Sequence, residues 1–321
     1  MQTVCPLAPE ALAQCQSILR VGSKSFAAAS WLLPRHLRGP AAAIYAFCRE
    51  ADDAVDRATA PTEALVGVNR RLSQIYGEGE PIGAVDQALA QVVRAYRLPK
   101  ALFRALLEGF AWDAEGRHYD SLDAVRAYAA RVAGSVGVIM ARLMGVEDPA
   151  LLARACDLGI AMQLTNIARD VAEDAALGRC YLPGDWLREA GLAPAAWLQA
   201  PGPSGALTAV VQRLLAAADD LYERSDAGIA GLPQACRGGI YAARLIYAEI
   251  GTRLQGQGCD PFRGRTIVPW YRKLWLLARG LWARWGGPVG REVHLMAPAL
   301  AEAVFLLTPS ESLARAPDSW L

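Results

Sequence analysis

The chain has 321 residues, of which 53% are hydrophobic and 20% charged, and its 33 basic side chains nearly balance 32 acidic ones for a net charge of +1. That neutrality argues against a polyanion such as nucleic acid as partner. Apolar content above that of an average soluble domain points to a large core, an internal apolar cavity or a membrane-facing surface.

The opening stretch "MQTVCPLAPEALAQCQ" has no basic start followed by an apolar block, so it does not read as a signal peptide. No run of about 18 uncharged apolar residues follows it, and no membrane span is expected. In "ALAQCQSILRVGSKSFAAASWLL" apolar residues recur at spacings of three and four, the period of a helix. Ser23 here suits a helix cap. Phe26 and Ser30 are one turn apart and share a face.

The next helical stretch, "IYAFCREADDAVD" from Ile44 to Asp56, places Asp52 and Asp56 four positions apart on one face, with Arg49 one turn before them. A single pair of this kind is usually a solvated face. The helical period continues through "ALFRALLEGFAW", "LLARACDLGIAMQLTNIARDV" and "LTAVVQRLLAAADDLYERS". Turn signals separate these stretches at "GEGEPIG", "VEDPA" and "GLAPAAWLQAPGPSG". None is long or polar enough for an interdomain linker. One all-α domain over residues 1–305 is expected, with 306–321 as a C-terminal tail.

A second stretch, "AMQLTNIARDVAEDAALGRCYLP" from Ala161 to Pro183, repeats the carboxylate spacing at Asp170 and Asp174. Asn166 lies four positions earlier, so Asn166, Asp170 and Asp174 form one polar line, with Arg169 beside it. Leu164, Ile167, Ala168 and Val171 flank the line. A polar line on an otherwise apolar helix suggests a wet cavity. Oxygen ligands one helical turn apart suit a hard cation such as Mg²⁺, which keeps several waters and takes one or two carboxylates plus substrate phosphates. Two such helices face to face would grip a diphosphate and neutralise it as it leaves. An EF-hand is excluded by ligand spacing and by the missing turn glycine.

Towards the end, "VPWYRKLWLLARGLWARWGG" sets Trp270, Trp275, Trp282 and Trp285 among Arg and Lys. This reads either as an amphipathic helix docked on the core or as an interfacial membrane contact. The seven cysteines form no CxxC pair and fit a reducing compartment. His36, His118 and His294 are far apart in sequence, and nothing supports a histidine-based triad.

The stretches "GSKSF", "LLPRHLR", "YAFCREADDAVD", "YAARVAGSVG", "QLTNIARDVAEDAALGRCYLP", "ARLIYAEI" and "DPFRGRTIV", in this order, resemble the squalene/phytoene synthase family over nearly the whole chain, in its bacterial phytoene synthase form. Ala129 departs from the family, which often carries cysteine there. The resemblance implies the all-α isoprenoid synthase bundle with a central apolar cavity. It implies metal binding by Asp52, Asp56, Asp170 and Asp174, and substrate binding by Ser23, Lys24, Phe26, Arg49, Asn166 and Arg265. Tyr128, Tyr181 and Tyr247 would line the reaction cavity and act in catalysis with Arg169. The bland alternatives are a surface place for Lys24 and Arg265 and core packing for the tyrosines.

The implied activity is head-to-head condensation of two geranylgeranyl diphosphates through prephytoene diphosphate to phytoene, with Mg²⁺ or Mn²⁺. No NADPH is expected, since no GxGxxG loop is present. The alternatives are presqualene diphosphate, squalene or dehydrosqualene synthesis from farnesyl diphosphate, a non-catalytic assembly factor, or an isoprenoid carrier. The implied location is cytoplasmic, with peripheral contact to the inner membrane face and to neighbouring carotenoid enzymes. Small residues at Ser30 and Ala42, both expected to face the cavity, would leave room for the longer donor.

Overall fold

Prolines and short polar caps decide where the helices begin. Pro9, Pro61 and Pro149 occupy first-turn positions, where a missing N–H is harmless. Ser23, Ser121, Asp148 and Ser204 each accept a backbone N–H at a helix start. Gly145 and Gly178, at φ 83° and 73°, turn the chain away just after two helices end. The computed structural model describes residues 7–286 and 292–308.

The elements in order are α1 (Pro9–Gly22), α2 (Lys24–Ser30), α3 (Arg35–Asp56), α4 (Pro61–Ile75), α5 (Ala84–Tyr96), α6 (Lys100–Ala114), α7 (Leu122–Ala129) and α8 (Ser135–Leu143). They continue with α9 (Pro149–Ala176), α10 (Gly184–Glu189), α11 (Pro194–Gln199), α12 (Gly205–Gly231), α13 (Gln234–Gly256), α14 (Trp270–Gly286), α15 (Glu292–Leu295) and α16 (Val304–Leu307). No strand occurs among the described residues. The expected all-α architecture is therefore present, and the buried apolar side chains form one connected core.

The 28-residue α9 is the hub, packed against α7, α8, α12 and α13. On the other side α3 packs with α1, α4, α5 and α6. Between α7 and α8 the chain makes one π turn, Ala130–Gly134. The wide turn sits where backbones come closest. A Cβ on Gly137 would lie 2.3 Å from the Ala155 carbonyl oxygen, and one on Gly159 would lie 2.3 Å from that of Ala133. Only glycine at both positions lets α8 and α9 approach this closely. The stretch Leu122–Leu143 is long and apolar enough to cross a membrane, and half of its most apolar window is buried in this packing.

α14 lies along α13 and touches α2, with Gly280 against Gly238 and Ala242. Leu276 and Ala283 face inward, while Trp270, Tyr271, Leu274, Trp275, Leu281 and Trp282 are exposed. The docked helix expected from the sequence thus keeps a second apolar face open. The side chain of Trp285 lies outside the described residues. So does the expected tail from residue 309 onward, whereas its first residues belong to α16, where Leu306 is buried in the core.

Candidate active site

Two helices carry parallel ladders of side chains. On α3, Ala41, Ile44, Tyr45 and Cys48 line an apolar cavity of about 320 Å³, and Asp52 and Asp56 continue the same stripe at four-residue steps. On α9, Ala155, Gly159, Met162 and Asn166 line the cavity, and Asp170 and Asp174 continue it. Each ladder is apolar along the cavity and acidic at one end. The remaining walls come from Leu19 of α1, from α2 and Leu33 after it, from the π turn with α8, and from α12 and α13.

The acidic end is interlaced with arginines. Arg49 reaches Asp53 at 2.7 Å and Asp52 at 3.4 Å. Arg179 donates to Asp56 at 3.0 Å. Arg169 grips Asp170 with a fork of two bonds, one of them Nε at 2.7 Å, and Arg265 approaches the same carboxylate at 3.3 Å. Asp174 has no ion-pair partner among the described residues. Burial, then the nearby Asp170 charge, pushes its carboxyl up to about 7. Burial and the Asp56 charge push Asp52 up to about 6. Burial also acts on Asp170, but the Arg169 fork and Arg265 outweigh it and hold that group below the usual range.

Among the described residues no three His, Cys, Asp or Glu side chains converge on one point as a ready metal cage. The donors nevertheless fit a hard divalent cation. All are oxygens, their charge is incompletely neutralised, and the buried Oδ1 of Asn166 has no hydrogen-bond partner. A cation that retains water and shares substrate phosphates needs only one or two carboxylates from each side.

Phe26 and Tyr247 stand at the cavity wall with ring centroids 5.1 Å apart, and Tyr45 meets Phe26 edge-on at 6.2 Å. Burial pushes the Tyr247 hydroxyl up to about 12. Ser23 caps α2, its hydroxyl accepting the Phe26 N–H at 3.2 Å. Lys24 is exposed beside Lys273 and makes no ion pair among the described residues. Ser30 lines the cavity as expected. Ala42 does not: it is fully buried in the core, and the helical phase brings Ala41 to the wall instead.

Tyr128 and Tyr181 are not among the residues lining the apolar cavity. Both donate their hydroxyls to Asp113 of α6, at 2.8 and 2.6 Å, and their rings stack at 5.0 Å with Tyr119 against both. Sequence reasoning passed over Asp113, whose signal was a lone acid in the apolar stretch "GFAWDA". Burial pushes its carboxyl up to about 6 even with two tyrosine donors and the Arg179 charge drawing it down. Its field reaches Asp52 and Asp174, so the tyrosine cluster adjoins the acidic end. Arg179 was also missed, although it stands two residues before Tyr181 in a quoted motif.

Comparison with known proteins agrees with this architecture. Residues 19–272 match the family model described as squalene/phytoene synthase. The chain is 52% identical to the phytoene synthase of Cereibacter sphaeroides, covering 82% of this chain and 77% of that one. It is 44% identical to the 15-cis-phytoene synthase of a Paracoccus strain, covering 81% and 88%. A crystal structure of a dehydrosqualene synthase in complex with ligand superposes with a TM-score of 0.78 at 33% identity, covering 84% of this chain and 95% of that one.

Proposed function

Because the chain belongs to the squalene/phytoene synthase family, we propose that it condenses two molecules of geranylgeranyl diphosphate head to head into phytoene, the first committed step toward carotenoids. The observation that carries the reading is the pair of acidic ladders on α3 and α9, closing one end of an apolar cavity. A diphosphate needs the acidic, arginine-rich end, and a prenyl chain needs the dry one.

Asp52 and Asp56 on one side, and Asn166, Asp170 and Asp174 on the other, would hold divalent cations, with Mg²⁺ or Mn²⁺ as the expected ions. When bound, such a cation neutralises the diphosphate as it departs. Arg49, Arg169, Arg179 and Arg265 surround that end, and their guanidinium groups suit phosphate oxygens as well as the carboxylates they now hold. Ionisation of the first donor leaves an allylic cation. The rings of Phe26 and Tyr247 line the cavity, where aromatic π-systems would stabilise positive charge. The second donor's double bond attacks that cation, and loss of a proton closes the cyclopropane ring of prephytoene diphosphate. A second ionisation, rearrangement and proton loss complete phytoene. The walls of Ile44, Val136, Met140 and Leu158 exclude the water that would quench the cations.

A cytoplasmic, membrane-peripheral location is part of the proposal. The exposed tryptophans of α14 alternate with Arg272, Lys273 and Arg279, and the guanidinium groups of Arg272 and Arg279 lie 4.3 and 4.9 Å from the Trp275 ring centroid. Such a face suits the headgroup zone, and an insoluble product benefits from release there. Neighbouring carotenoid enzymes would then receive phytoene within the same membrane.

The test supplies labelled twenty-carbon or fifteen-carbon diphosphate, with Mg²⁺ and no reductant. A forty-carbon hydrocarbon from the twenty-carbon donor supports the reading. Thirty-carbon product alone moves the protein to the farnesyl-using branch. Release of neither product points to a non-catalytic relative or a carrier.

A further inference from the structure

The hydrocarbon cavity ends at Leu33, Met144, Leu151 and Leu232, at the end of the bundle opposite the aspartates. Along α3, Ala41 is eleven residues before Asp52, about 16 Å at the helical rise. Beyond that end lies a second cavity of about 510 Å³. The chain crosses from one space to the other at Leu33–Pro34, at Met144 and at Leu232–Pro233. Met144 is the single residue that lines both.

We propose that Met144 is the partition that closes the hydrocarbon cavity, and that it sets the longest prenyl chain the protein accepts. The inference rests on the prenyl-diphosphate reading and adds a specificity-determining residue to it. Three observations support it. First, Met144 is 9% exposed, and it is an unbranched, readily repacked side chain between two spaces, not a branched one locked in a tight core. Second, the far cavity begins directly past Met144 with a mixed lining. Leu37, Leu143 and Val146 are buried there, His36 and Arg142 are half-buried, and Arg97 and Glu147 are exposed. Third, Met144 caps the C-terminus of α8, and the reversal after it is carried by Gly145 at φ 83°. The Met144 side chain is therefore not needed to shape the turn.

Removing the thioether side chain joins the two spaces and gives a longer hydrocarbon somewhere to go. Enlarging it shortens the first space. An end wall excludes a chain sterically, which discriminates more sharply than loss of apolar contact.

The experiment measures kcat/KM for fifteen-, twenty- and twenty-five-carbon donors with wild type, Met144→Ala, Met144→Trp and Leu143→Ala. Leu143 lines the far cavity alone, so its truncation loosens the core without opening the partition. Met144→Ala should raise the twenty-five to twenty ratio by at least about tenfold, the lower end of what one methylene is worth in an apolar pocket. Met144→Trp should lower the twenty to fifteen ratio by a similar factor. Leu143→Ala should lower Tm and leave both ratios unchanged. Thermal stabilisation by a non-hydrolysable twenty-five-carbon diphosphate analogue provides a readout free of turnover, and it should increase in Met144→Ala. Unchanged ratios in folded Met144→Ala and Met144→Trp proteins would overturn the proposal, as would equal shifts in Leu143→Ala. If Met144→Ala fails to fold, Met144→Val carries the same test. A wild type inert toward every donor overturns the underlying reading instead, while the analogue still reports on the partition.

Discussion

Asp113 holds the hydroxyls of Tyr128 and Tyr181 on one carboxylate, so two predicted catalytic side chains share an anchor that neither sequence motif contains. Asp113→Ala leaves two buried hydroxyls without an acceptor, at about 1–3 kcal/mol each. Tm should fall by several degrees, and turnover at saturating donor by at least about tenfold. Asp113→Asn keeps an acceptor oxygen, so thermal scans should show a smaller Tm loss with turnover still reduced. Equal turnover in both variants and wild type would remove Asp113 from the account. At the acidic end, Asp52→Asn and Asp170→Asn should each lower turnover by orders of magnitude at limiting Mg²⁺, with unchanged helical circular dichroism. Near wild-type rates in either would discard that ladder as a cation site. The four aspartates were legible because their spacing repeats. Asp113 was not, since a lone acid carries no period and its meaning comes from two tyrosines distant in sequence. Ala42 was misplaced for a related reason: one residue of helical phase separates a wall position from a core one.

At the scale of elements, the helical period located the main helices, but the π turn at Ala130–Gly134 left no readable mark. Its sequence, "ARVAG", is an ordinary helical one, and what accompanies the extra width is the close approach of α9. Gly137→Ala and Gly159→Ala should therefore each destabilise the fold by at least about 1–3 kcal/mol, the usual range for overpacking, because the obstacle is a backbone carbonyl that cannot rotate away. Denaturant melts check this, and a loss below about 0.5 kcal/mol would contradict the tight crossing. α14 makes a different prediction. Trp270→Ser with Trp282→Ser should reduce sedimentation with anionic vesicles while turnover in detergent stays near wild type, because both side chains are exposed and neither lines the cavity. Undiminished vesicle binding would reject α14 as the contact. The sequence favoured docking over membrane contact for this helix, and one face is docked while the other is open.

At the scale of the whole molecule, one core, one central cavity and one acidic end follow from where α3 and α9 run. The single-domain reading was accessible because no linker interrupts the helical pattern. The cavity's far end was not, because Met144, Leu33 and Leu232 meet only after folding. Donor length belongs to this scale. Ser30 lines the wall, and its hydroxyl bonds back to the Ala27 carbonyl at 2.7 Å, leaving the cavity side uncluttered. Ser30→Phe should shift preference toward the fifteen-carbon donor, as paired rate measurements would show. Ala42→Trp should unfold the protein instead, because Ala42 is fully buried away from the cavity. The most direct measurement offers equimolar fifteen- and twenty-carbon diphosphates together with Mg²⁺, and weighs the hydrocarbon by mass spectrometry while counting diphosphate released. A predominantly forty-carbon product, two diphosphates per molecule and complete loss of both on chelation are predicted. A predominantly thirty-carbon product, or product formation that survives chelation, would contradict the account.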